Sequence, residues 1–152
     1  ALSDEYSLPI LFSTHPRTRL RLEKENLKLH KLINLHPPLC FSDYCKLQLE
    51  AKIVLSDSGS ITEESSILNF PAINLREAHE RPEGFEEAAV MLTGLDTDKI
   101  INAINILEEE KNNNILMETV KDYIAPNLSD KIAKIILSHI NNVNNFLWKK
   151  DK

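Results

Sequence analysis

Short apolar runs of strand length recur through the first hundred residues of this 152-residue chain, and most are followed at once by a helix-start signal. Strands that alternate with helices predict βαβ units, hence a parallel sheet with right-handed crossovers and helices on both faces. Leu8 to Ser13 is the first run, and Thr14-His15-Pro16 ends it with a proline suited to a first helical position. The helix that follows carries Arg17, Arg19 and Arg21, sets Leu20 and Leu27 on one face, and fades near Lys28. A weaker strand spans Leu32 to Leu35. After His36-Pro37-Pro38-Leu39, Ser42 is placed to cap a helix with Tyr44, Leu47 and Ala51 on one face.

Ile53 to Leu55 and Ala72 to Leu75 flank a helix over Ile61 to Asn69, and Ala88 to Leu92 reads as another short strand. Asp96 then caps a helix striped by Ile100, Ile101, Ile104 and Leu107, with Glu108 to Asn114 as its polar end running into a loop. Beyond Pro126, Ser129 caps a last helix whose Ile132, Ile136, Ile140, Val143 and Leu147 form a long one-sided stripe. The expected organisation is an α/β domain over residues 1–125 and a terminal helix over 126–152. The apolar face of that helix must cover something, either this sheet or another domain.

Hydrophobic residues at 42% and charged residues at 27% place the chain among globular proteins rather than disordered or fibrous ones. The net charge is −5, and the one short basic segment, His15 to Arg21, does not recommend a general nucleic-acid partner. Cys40 and Cys45 suggest neither a disulfide framework nor a structural zinc site, and a reducing cytoplasm fits them. No apolar run approaches the ~20 residues needed to span a bilayer, so no membrane span is expected. A metal or cofactor is not expected either.

In such a sheet ligands bind at the carboxyl ends of the strands, where His15-Pro16, Pro38 to Tyr44 and Asp57 to Ser60 should converge. Ser58-Gly59-Ser60 joins a strand to a helix N-terminus, where unpaired N–H groups and the helix dipole suit a phosphate. Taken singly, the same residues are accounted for by a tight turn with a capping box, Ser60 with Glu63. Glu64 faces elsewhere: it either complements the dipole or accepts both hydroxyls of a ribose. Arg76 and Arg81, among Glu77, Glu80 and Glu83, form a surface ion-pair network or clamp a diphosphate. His15 is a satisfied turn residue or a donor to an anion. His79 is a weaker acid–base candidate, and His30, His36 and His139 read as structural.

Together these segments are more specific than each alone. The string DSGSITEESSILNFPAINLREAHERPEG, with Asp57-Ser58-Gly59, Glu63-Glu64, Arg76-Glu77 and Glu80-Arg81-Pro82-Glu83, resembles the carboxyl-terminal half of the non-hydrolysing UDP-N-acetylglucosamine 2-epimerases. The resemblance runs from about Leu8 to Leu107. Thr14-His15-Pro16-Arg17-Thr18-Arg19 and Ala78-His79-Glu80-Arg81-Pro82-Glu83-Gly84 look closer to the subgroup acting on UDP-2-acetamido-2,6-dideoxy-hexoses.

The resemblance implies one Rossmann-like half of a two-domain glycosyltransferase-B architecture. It further implies a cytoplasmic enzyme of cell-surface polysaccharide biosynthesis, with a UDP-sugar substrate and a homodimeric full-length form. Carried over, Ser58 and Gly59, with Ser60, hold the diphosphate, Glu64 the ribose hydroxyls, and Arg81 supports the phosphate side. Backbone around Leu39 and Tyr44 frames the uracil, and His15 lies near the cleft as a substrate or allosteric contact. The family's acid and base carboxylates come from the amino-terminal domain, so no catalytic residue is expected in this chain, which alone should be inactive. The chain is expected to be a piece of that larger enzyme. A glycosyltransferase donor domain and a non-catalytic nucleotide-binding module are the rival readings. The Glu80-Arg81-Pro82-Glu83 segment argues against the former.

Overall fold

The computed structural model describes residues 1–152 apart from 79, 114, 116, 117 and 150–152. The chain divides into two compact units, Ala1–Val120 and Lys121–Lys152. In the first, the order is α1 (Leu2–Tyr6), β1 (Ile10–Ser13), α2 (Pro16–Lys24), β2 (Ile33–His36), α3 (Phe41–Glu50), β3 (Val54–Ser56), α4 (Ile61–Leu68), β4 (Ala72–Asn74), α5 (Pro82–Glu86), β5 (Met91–Leu92) and α6 (Thr97–Asn112). The second holds a 3-10 turn at Lys121–Ile124 and α7 (Leu128–Asn142), which widens into a π turn at Val143–Leu147.

Every strand pairing is parallel, as the alternation of elements requires. The strands lie in two ladders, β1-β2 and β3-β4-β5, rather than in one continuous sheet. In the larger ladder the register sets Val54 opposite Ala72 and Ile73 opposite Met91.

The central strand β4 explains where the core sits. Successive strand residues point to opposite faces. Ile73 therefore packs with Ile100, Ala103, Ile104 and Leu107 of α6, while Ala72 packs with Ile61, Phe70 and Val90 on the other side. Full burial of each Ile or Leu contributes about 1.5–3 kcal/mol. The stripe of α6 thus runs through Ala103 and leaves Ile101 only half-buried, one position off the expected pattern. Cover on both faces holds for this ladder but not for β1-β2, where Leu11 and Phe12 are 55% and 41% exposed.

Several element ends differ from expectation for local reasons. The second helix stops at Lys24 because Asn26 turns the chain left-handed at φ 49°, so Leu27 lies beyond the helix, and it and Leu20 are both exposed. Helix α3 begins at Phe41: Ser42 is already helical, Cys40 holds the cap position, and the first bond runs from Tyr44 N–H to the Cys40 carbonyl. Its inward position is Gln48, whereas Leu47 is exposed. Asn69 ends α4 in the left-handed conformation, a common use of asparagine.

The fifth strand is shorter than expected because Ala88 has φ 51° and the Ala89 N–H returns to the Gly84 carbonyl, folding residues 84–89 into a turn. Asp96 does cap α6, accepting from Asp98 N–H at 3.0 Å and Lys99 N–H at 3.1 Å. Asn127, not Ser129, precedes α7; its left-handed backbone starts the helix and its carbonyl accepts from Lys131 N–H.

Candidate functional site

Strand β3 ends at Ser56, and residues 57–60 form the turn into α4. Each serine of this turn holds the next. Ser56 Oγ accepts from the Ser58 N–H at 3.1 Å, Ser58 Oγ accepts from the Ser60 N–H at 3.3 Å, and the two hydroxyls of Ser58 and Ser60 lie 3.0 Å apart. From β4, the buried Asn74 reaches across: its Nδ2 donates to the Ser58 carbonyl at 3.4 Å and its Oδ1 accepts from the Arg76 N–H at 3.0 Å. Arg76 in turn donates from Nε to the Asp57 carbonyl at 2.5 Å and pairs with Glu80 at 2.8 Å. The turn is therefore braced from two directions before any ligand arrives.

The capping box expected between Ser60 and Glu63 is not formed. A side-chain cap needs an extended backbone at the cap residue so that its oxygen can meet the N–H groups of the first turn. Ser60 is already helical at φ −66° and ψ −13°, and it makes no such bond. Its hydroxyl donates instead to Glu64 Oε1 at 2.7 Å. Glu63 is consequently not a cap: its Oε1 accepts from Arg81 Nε at 2.6 Å, and its Oε2 is buried with no hydrogen-bond partner among the described residues.

Glu64 lies on the first turn of α4 and gathers three donors. Besides Ser60 on Oε1, Gln48 Nε2 donates to Oε2 at 2.6 Å and the Tyr44 hydroxyl to Oε2 at 3.4 Å. Burial, and then the negative charge of Glu64, hold the Tyr44 phenol above its ordinary pKa, so it stays a donor at neutral pH. An ionised carboxylate with two oxygens can exchange such hydroxyl donors for those of a diol.

Gly59 is half-buried beneath the charged segment: a Cβ there would come 3.5 Å from Glu80 Oε2 and 3.6 Å from Arg81 Nη2. These are ordinary contact distances, so the guanidinium lies directly over the turn. Arg81 also opens α5, with Pro82 as its first helical residue.

The structure thus brings together Tyr44, Ser58, Gly59, Ser60, Glu64 and Arg81. Among the described residues, no hydrogen bond joins Leu39 or His15 to them. Leu39 is half-buried before α3, and His15 is an N-cap whose Nδ1 accepts from the Arg17 N–H at 3.3 Å, the turn role weighed for it. His79 lies outside the described residues. Gln48 and Asn74 join the constellation unannounced. Asn74 had a signal, a lone amide at the carboxyl end of an otherwise apolar strand. Gln48 had none beyond its spacing of four residues from Tyr44.

Among the described residues no group of three His, Cys, Asp or Glu side chains is placed to hold a metal ion, and no helix is long and apolar enough to cross a membrane. Cys40 and Cys45 are free thiols.

A family model described as UDP-N-acetylglucosamine 2-epimerase matches residues 1–137. A UDP-N-acetylglucosamine 2-epimerase of Methanocaldococcus jannaschii is 39% identical over 112 residues, which cover 71% of this chain and 31% of the relative. One from Methanococcus maripaludis is 34% identical over 107 residues, covering 68% and 29%. The solved UDP-N-acetylglucosamine 2-epimerase of Rickettsia bellii superposes with a TM-score of 0.82 at 44% identity, over 97% of this chain and 41% of that one. The Methanocaldococcus jannaschii enzyme, solved in complex with UDP-GlcNAc and UDP, superposes with a TM-score of 0.72 at 32% identity, over 90% and 37%. The chain therefore spans about a third of the length of these curated relatives. Its parallel α/β fold, the Asp57 to Gly84 motif and this match along most of its length agree: the chain belongs to the UDP-N-acetylglucosamine 2-epimerase family.

Proposed function

We propose that this chain is the nucleotide-holding part of a non-hydrolysing UDP-N-acetylhexosamine 2-epimerase. The observation that carries this reading is the Glu64 carboxylate, held one turn into α4 beside the braced turn at Ser58 to Ser60. A diphosphate on that turn would meet the positive end of α4 and the Arg81 guanidinium, while the ribose hydroxyls replace the Ser60 and Tyr44 hydroxyls on Glu64. Leu39 and Tyr44 would frame the uracil, and His15 would stand toward the cleft.

The reaction is interconversion of UDP-GlcNAc and UDP-ManNAc, or of the 2-epimers of a related 6-deoxy UDP-sugar. The proton at C2 leaves to a base, the C1–O bond breaks with its electron pair going to UDP, and a glycal remains. UDP then adds back at C1 while a proton returns to C2 from the other face. The residues named above hold the leaving group and stabilise its charge. The proton transfers need positioned carboxylates, which this reading assigns to the other domain of the enzyme, so the chain alone turns nothing over. In the whole enzyme α7 docks on that other domain, in keeping with the exposed Ile132, Ile136 and Ile140 on this helix. The enzyme works as a homodimer in a reducing cytoplasm, in keeping with the free thiols.

Calorimetric titration of this chain with UDP tests the reading. Saturable binding is expected, and no binding at millimolar UDP would overturn it. In parallel, turnover of UDP-GlcNAc by this chain without a partner would overturn the assignment of the acid and base elsewhere.

A further inference from the structure

Gln48 lies on α3, is 3% exposed, and directs its amide at Glu64. An amide can be turned over, but here the reversed orientation would set its oxygen 2.6 Å from a carboxylate oxygen, acceptor against acceptor. Charge therefore fixes Nε2 toward Glu64. The consequence appears at the other end of the amide: Gln48 Oε1 is buried with no hydrogen-bond partner among the described residues. Leaving a buried acceptor unmet is costly, and a side chain kept only to fill this position would be better apolar. The short bond to Glu64 is what the polar end provides in return.

The two oxygens of Glu64 stand in different surroundings. Oε2 meets Gln48 and Tyr44 in partly buried contacts, whereas Oε1 meets Ser60 in an exposed one. Gln48 thus grips the carboxylate from its inner side and sets the torsion at which Oε1 faces outward. Carboxylate torsions are broad when nothing holds them, so a donor fixed by burial decides the presentation.

We propose that Gln48 is a positioning residue of the nucleotide site: by holding Glu64 Oε2 it fixes the orientation in which the carboxylate meets the hydroxyls of a nucleoside diphosphate, with Oε1 turned outward to one of them. This rests on the assignment of Glu64 to the ribose. Gln48 touches no ligand itself and acts through Glu64.

Two measurements separate this proposal from that assignment. In the nitrogen-labelled chain, one Gln48 side-chain amide proton is expected far downfield, as a short bond to a charged acceptor requires, and it should move upfield in Glu64→Gln. Absence of that signal overturns the proposal whatever the nucleotide does. In titrations, the wild-type chain should prefer UDP to its dideoxyribose analogue. Gln48→Met keeps the volume and removes the donor, and should cut that preference about tenfold, the scale of one charge-assisted bond, without weakening the analogue. Equal weakening of both nucleotides, or an unchanged preference, would overturn the proposal. A wild-type chain that binds both nucleotides alike, with the downfield signal present, would instead refute the ribose assignment of Glu64 and, with it, the positioning role of Gln48.

Discussion

Replacing Glu64 by glutamine removes the charge at the centre of the proposed site while keeping its shape. Glu64 accepts from Ser60 at 2.7 Å, Gln48 at 2.6 Å and Tyr44 at 3.4 Å. A glutamine has one acceptor oxygen and one NH2. The oxygen must face Gln48, whose amide has no other acceptor among the described residues, and the NH2 then faces the Ser60 hydroxyl, which can rotate to accept. Both short contacts survive as neutral hydrogen bonds, so the domain should lose about 1 kcal/mol of stability or less. A diol suffers more. Its two hydroxyls would donate to a carboxylate, but the outward NH2 accepts nothing, so one bond is lost and the other loses its charge.

At about 1.5–3 kcal/mol for hydrogen bonds to a charged group, Glu64→Gln should weaken UDP binding roughly 10- to 150-fold. Calorimetric titration beside thermal denaturation measures both effects. UDP affinity within twofold of wild type would refute the role of Glu64. A loss of stability matching that of a core truncation would show that the carboxylate serves the fold rather than the ligand.

Three further substitutions probe the core, a helix cap and the phenol beside Glu64. Ile104→Ala opens the α6–β4 core, where Ile104 is 1% exposed, and should cost about 2–5 kcal/mol in denaturant unfolding. Asp96→Ala removes the acceptor for two N–H groups at the start of α6 and should cost about 0.5–2 kcal/mol by the same measurement. The raised pKa of Tyr44 favours the folded state below the phenol's ordinary value and is lost as pH rises through the folded value. Stability should therefore fall in alkali more steeply for wild type than for Tyr44→Phe, as followed by circular dichroism.

The alternation of strand and helix was legible because it depends on local signals: apolar runs, prolines and caps. Pairing into two ladders was not, since the same local signals suit one sheet or two. The turn at Ser58 to Ser60 and the carboxylate of Glu64 could be found from their place between a strand and a helix. Their division of labour could not, because it hinges on the backbone of Ser60. One residue in a helical rather than an extended conformation redirects its hydroxyl from the backbone to Glu64, and frees Glu63 to meet Arg81. Gln48 was hidden for a related reason: the apolar spacing of α3 favours Leu47, yet the helix turns the amide inward to a charge sixteen residues away in sequence.

The most direct test of the nucleotide site is amide chemical-shift mapping during titration of the chain with UDP. The largest shifts are expected at Ser58, Gly59, Ser60 and Glu64, with smaller ones at Tyr44 and Arg81, all saturating with one affinity. Shifts that spare this turn and gather at the opposite strand ends, around Lys52 just before β3 and its ion-pair partner Glu108 on α6, would contradict the placement of the nucleotide.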